Sequence, residues 1–126
     1  MKINDPAVLA EVEEAFAAYE AALTSNDVET LDRLFNDAPQ TVRYGGGENL
    51  YGYDEIAAFR AARSSHDLMR SLERTLITSY GDSFATASTL FRRDSLKGKI
   101  GRQMQSWVKF EEGWRVVAAH VSVIAE

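Results

Sequence analysis

The feature that most limits what this chain can fold into is a change of hydrophobic period near its midpoint. Apolar residues recur at intervals of three and four in the first half and alternate by two thereafter. Leu9, Val12, Phe16, Tyr19 and Leu23 form one such helical stripe, and Asp5-Pro6 ahead of it supplies an N-cap and a proline suited to the first helical position. From Leu68 onward the alternation predicts strands over 71–80, 84–93, 99–110 and 114–123, with Gly81-Asp82 and Glu112-Gly113 as turns. Helices first and long strands last, on short connections, predict an α+β fold in which a curved antiparallel sheet wraps around N-terminal helices. The order argues against βαβ units.

The stretch between these halves reads as short elements. Asn26 with Glu29 three residues on resembles a capping box, opening a second helix through Leu31, Leu34 and Phe35 that Asp37, Ala38 and Pro39 close. Strands over 41–44 and 48–51 joined by Gly45, Gly46 and Gly47 form a predicted hairpin. Gly52, Asp54 and Glu55 then suit a helix start, and that helix runs to about residue 64. Ile56, Phe59, Arg60 and Arg63 share one of its faces, so both arginines border the apolar side.

A chain of 126 residues fits one domain, expected here over 1–126. The formal charge of -5 repels phosphate backbones, so no nucleic acid partner is expected. The absence of cysteine removes disulfides, thiolate nucleophiles and cysteine-ligated metals. The acidic residues Asp5, Glu11, Glu13 and Glu14 interrupt any export signal at the N-terminus, and no apolar run approaches the roughly 20 residues of a membrane span. We therefore expect a soluble, cytoplasmic protein with no membrane partner.

A cone of sheet and helix offers a concave site wherever polar groups converge. On the 99–110 strand, Gln103, Gln105 and Trp107 fall on one face by alternation. Tyr19 has two readings: a core tyrosine bonded to a backbone carbonyl, or a phenol that donates a proton. Arg43 is either a solvated arginine or an inward clamp for a carboxylate. Arg60 and Arg63 either add to that charge or form rim salt bridges. The three glycines lack the pattern of a phosphate-binding loop. His66 reads as a loop residue and His120 as a strand histidine. No spacing of histidines or carboxylates points to a metal, no cofactor motif occurs and no nucleophile motif is present, so we expect acid-base and electrostatic chemistry without metal or cofactor.

Three segments carry a specific likeness: AFAAYEAALTSND at 15–27, TVRYGGGENLYGYDEIAAFRAAR at 41–63, and GRQMQSWVKFEEGWRVVAAHVS at 101–122. Together they cover nearly half the chain, in which the sequence resembles the AtzH- and HpxZ-like family of the SnoaL-like superfamily, whose fold is named after nuclear transport factor two. The resemblance implies a cone-shaped fold, a homodimer packed through the sheet, and catalytic residues at Tyr19 and Arg43. AtzH-like members are associated with decarboxylating amidohydrolysis of 1,3-dicarboxyurea to allophanate in cyanuric acid breakdown. HpxZ-like members accompany oxalurate and purine catabolism, which leaves a non-catalytic, acid-binding role as the alternative. On the first reading a small anionic substrate is clamped by Arg43 with help from Arg60 or Arg63, and Asn49, Gln105 and Trp107 position the planar urea.

Overall fold

A computed structural model describes residues 1–126. Helix α1 spans Pro6–Ser25, and the Asp5 carboxylate accepts from the backbone N–H groups of Ala7 and Val8 as its N-cap. Its stripe turns Val12, Phe16, Tyr19 and Leu23 into the core, each large apolar side chain contributing about 1.5–3 kcal/mol on burial. Helix α2 is Val28–Leu34, and here the expected cap moves by one residue. Asn26 instead ends α1 in the left-handed conformation at φ 55°, a geometry asparagine tolerates. The Asp27 carboxylate then caps α2 by accepting from the Thr30 N–H.

Strands β1 (Val42–Tyr44) and β2 (Asn49–Tyr51) form the hairpin, shorter at each strand start than expected. Helix α3 spans Tyr53–Ala62 and ends two residues before the expected limit, because Arg63 takes an extended conformation as its C-cap. Strands β3 (Ser71–Tyr80), β4 (Phe84–Arg92), β5 (Lys99–Phe110) and β6 (Gly113–Ala125) complete one six-stranded sheet ordered β2-β1-β6-β5-β4-β3. All neighbours run antiparallel except β1 and β6, which pair in parallel with Arg43 opposite Ala119.

Two bulges curve the sheet. One lies between Glu73 and Leu76 on β3, where Arg74 has φ 52°. The other lies on β6, where Trp107 pairs with Val116 but Ser106 pairs with Ala118. The extra residue explains why the inward positions of β6 step from Val116 to Ala119 rather than to Ala118. Inward positions of β4 and β5 alternate strictly, as Ala85, Ala87, Thr89 and Phe91, and as Gln103, Gln105 and Trp107. The helices pack on this concave side, and Glu11 on α1 ties them to the β5–β6 hairpin by accepting from Lys109 Nζ and Trp114 Nε1, both at 2.8 Å. No helix is long and apolar enough to cross a membrane.

Candidate functional site: an arginine-lined chamber

Between α1, the end of α3 and the concave face of the sheet lies a chamber of about 300 Å³. Four guanidiniums reach it, from Arg43, Arg63, Arg70 and Arg93, with the carboxylates of Glu48 and Asp67 among its walls. Tyr19 also lines it, 4% exposed, and its hydroxyl forms no hydrogen bond with the protein. The phenol is held by aromatic neighbours, with Phe35 at 6.2 Å and Trp107 edge-on at 6.5 Å between ring centroids. Tyr19 thus belongs to the core, as one sequence reading had it, but without the bond to a backbone carbonyl.

Register fixes the direction of Arg43. It lies opposite inward-facing Ala119 in the parallel β1–β6 pair, whereas Tyr44 lies opposite outward His120. Its guanidinium stands 5.7 Å from the Phe59 ring centroid. Glu48 comes no closer than 3.9 Å, and Arg43 Nη1 is buried without a hydrogen-bond partner. The glycine loop serves this arrangement by leaving space: a Cβ on Gly45 would fall 2.2 Å from Glu48 Oε1.

Arg63 enters from the C-terminal end of α3, with Nε and Nη2 buried and unpaired. Burial pushes its pKa below the usual arginine range, and the neighbouring charges of Arg43 and Arg60 add to the effect. Arg93 follows β4, facing the same side as Phe91 by alternation, and its Nε is likewise buried and unpaired. Burial first and Arg70 second push it down too. Arg70 differs because Glu20 on α1 holds it through two hydrogen bonds of 2.8 and 2.7 Å. Arg70 also donates to Gln103 Oε1 at 3.1 Å, which turns the Gln103 amide nitrogen away as a free donor. The Phe91 ring supports Arg70 at 4.7 Å and Arg93 at 5.0 Å.

Of the seven side chains singled out from sequence, Tyr19, Arg43 and Arg63 meet in this chamber and four stand elsewhere. Arg60, 4% exposed, is committed to Asp32 on α2 at 2.7 Å and to the Phe35 ring. Asn49 is exposed on β2. Gln105 and Trp107 are packed below the chamber and bond each other, Trp107 Nε1 donating to Gln105 Oε1 at 3.1 Å. His120 lies on the outer face, edge-on to Tyr44. Arg70 and Arg93, which the sequence did not single out, also line the chamber, and so does His66 from the turn after α3, a loop residue as expected. Alternation from Phe91 to Arg93 was the available signal for one of them. The segment bearing His66 and Asp67 is fastened to the β4–β5 connection by a hydrogen bond from Ser95 to the Asp67 carboxylate.

A family model described as AtzH-like matches residues 1–126. Among solved structures, a Pectobacterium atrosepticum protein of unknown function from the DUF3225 family is 58% identical, with 98% of this chain and 95% of that chain covered and a TM-score of 0.95. A cystatin-like fold protein from Burkholderia xenovorans is 44% identical over 100% of this chain and 98% of that one, at a TM-score of 0.96. A nuclear transport factor 2-like superfamily protein from Salmonella enterica is 25% identical, covering 95% and 93% of the two chains at a TM-score of 0.75. No curated protein matches the chain.

Proposed function

Because the chain belongs to the AtzH-like family of SnoaL-like proteins, we propose that it is a decarboxylating amidohydrolase that converts a carboxylated urea such as 1,3-dicarboxyurea to allophanate. The observation that carries this reading is that a phenol without a protein hydrogen bond, Tyr19, shares one half-open chamber with Arg43, whose buried Nη1 has no hydrogen-bond partner and whose nearest carboxylate, Glu48, stands off at 3.9 Å. A guanidinium that lacks a close acceptor is matched by a ligand carboxylate, which can take two parallel hydrogen bonds from it. Arg43 holds the carboxylate that the product retains. Tyr19 donates its proton to the nitrogen that bears the departing carboxyl group. The bond between that nitrogen and the carboxyl carbon breaks, its electron pair stays on nitrogen, carbon dioxide leaves neutral, and solvent reprotonates the phenolate.

Burial of the chamber strengthens these charge contacts relative to water and keeps the proton donor fixed before the reaction begins. Arg63 belongs to the same grip, since its Nε and Nη2 lack protein acceptors. Arg60, Gln105 and Trp107 support the site from behind. The alternative, an acid-binding accessory protein, is separated by one assay. Incubation of the protein with 13C-labelled 1,3-dicarboxyurea produces allophanate and carbon dioxide faster than buffer on the enzymatic reading. Retention of the labelled compound at the buffer rate contradicts it.

We further propose that a second copy packs on the outer face of the sheet, where Leu76 is 65% exposed and Met104 56% exposed among Ser88, Ser106, Ala118 and Tyr44.

A further inference from the structure

Five of the eight buried polar side-chain atoms without partners belong to residues of the chamber: Arg43 Nη1, Arg63 Nε and Nη2, Arg93 Nε and Gln103 Nε2. All five are donors. Proteins pair the great majority of their buried polar groups, so such a group of donors marks a place whose own carboxylates, Glu48 and Asp67, do not come within hydrogen-bond reach of them. One carboxylate offers two oxygens and matches one guanidinium fork at a time.

The donors approach from two sides. Arg43 rises from β1 and Arg93 follows β4, and β6 and β5 lie between those strands in the sheet. Three strand spacings, about 14 Å, separate the strands, and Arg43 is level with Ala119, Gln105 and Ala87, six residues before Arg93, so one small carboxylate does not take both forks face to face. Arg63 groups with Arg43, because the Arg43 guanidinium stands 5.7 Å from the ring of Phe59, one helical turn before Arg63 on α3. Arg93 groups with Gln103, since both adjoin Arg70, the one through the shared Phe91 ring and the other through a hydrogen bond. Tyr19 is within the field of Arg63 and Arg93 alike.

We propose that Arg93 and the amide of Gln103 form a second carboxylate subsite, opposite the Arg43–Arg63 pair, and that the chamber therefore selects ligands carrying two carboxylates. The inference rests on the proposed function and sharpens it. The retained carboxylate sits at Arg43, and the departing one sits at Arg93. Negative charge lost from the departing group reappears on the Tyr19 oxygen, still in the field of the same guanidinium, so grip on the substrate does not become a penalty on the reaction. The Glu20–Arg70 pair is the positioning element, because it neutralises Arg70 and fixes which end of the Gln103 amide faces the ligand.

Titration calorimetry at fixed ionic strength with acetate, oxalate, malonate and succinate tests this. The wild type binds the best of the three dicarboxylates at least about tenfold more tightly than acetate, as one added charge-assisted hydrogen-bond pair implies. Arg93→Gln keeps the affinity for acetate, which also reports that it folds, and loses the dicarboxylate preference to within about twofold. Arg93→Lys, which retains charge without the fork, falls between the two. A variant Arg93→Gln that keeps the full preference overturns the second subsite while leaving the Arg43 clamp intact. A wild type that binds none of the four anions overturns the proposed function along with it.

Discussion

Arg60 and Arg63 lie one helical turn apart, and a single difference in partners separates their roles. Arg60 faces Asp32 at 2.7 Å and has its charge answered inside the protein, whereas Arg63 stands at the helix end with two unpaired nitrogens. Replacing Arg60 by alanine removes one side of a largely buried pair. The expected loss is on the order of 2–3 kcal/mol, below the figure for fully buried pairs because the Asp32 side chain keeps 28% exposure. Replacing Arg63 by glutamine lowers affinity for carboxylate ligands and, by relieving like-charge crowding with Arg43, leaves stability unchanged or raised. Urea unfolding and ligand titration on both variants check this crossed pattern. The spacing of the two arginines was legible in the sequence, but the carboxylate that claims one of them is 28 residues away and only the fold brings it near. The Trp107–Gln105 bond had a different cause: alternation placed both residues on one face two positions apart, but only their side-chain conformations show that they bond each other and become a support for Tyr19 instead of ligand contacts.

At the scale of elements, the wall of the chamber depends on a missing side chain. Phe91 lies opposite Gly101 in the β4–β5 pair, and a Cβ on Gly101 would fall 2.2 Å from the ring. Phe91 is fully buried and carries Arg70 and Arg93 on its two sides. Gly101→Ala therefore overpacks the wall at a cost of about 1–3 kcal/mol, and it displaces both guanidiniums. The expected result is a lower denaturation midpoint together with weaker carboxylate binding, whereas a surface glycine outside the chamber such as Gly47, with nothing near its absent Cβ, tolerates alanine in the binding measurement. Element type and order were readable from period alone, and so was the inward face of β5. The parallel β1–β6 pairing was not, because it joins segments some 75 residues apart and leaves no local pattern. Nor was the choice between Asn26 and Asp27 as cap, since both side chains suit the role and the turn between α1 and α2 decides it.

For the whole molecule, charge is divided by location. The chain carries a formal charge of -5, yet four guanidiniums converge on one chamber, and Arg92, Lys97 and Lys99 add a basic rim on the neighbouring surface beside Arg70 and Arg93, so a small anion is drawn to this end of the molecule. The outer face of the sheet mixes apolar and polar side chains, with Leu76 and Met104 exposed beside Ser88 and bordered by Arg74 and Arg102. Met104→Glu places a charge at the centre of that face and shifts the protein from dimer to monomer in light scattering at unchanged secondary structure. An unchanged mass contradicts packing through this face.

In the proposed reaction a phenol gives up a proton while a guanidinium holds the same small anion. Steady-state kinetics of allophanate formation from 1,3-dicarboxyurea by Tyr19→Phe and Arg43→Gln test it most directly. Tyr19→Phe keeps the shape of the chamber and loses about 10²–10⁴-fold in kcat with little change in KM, while Arg43→Gln raises KM as well. Wild-type turnover in both variants contradicts the account.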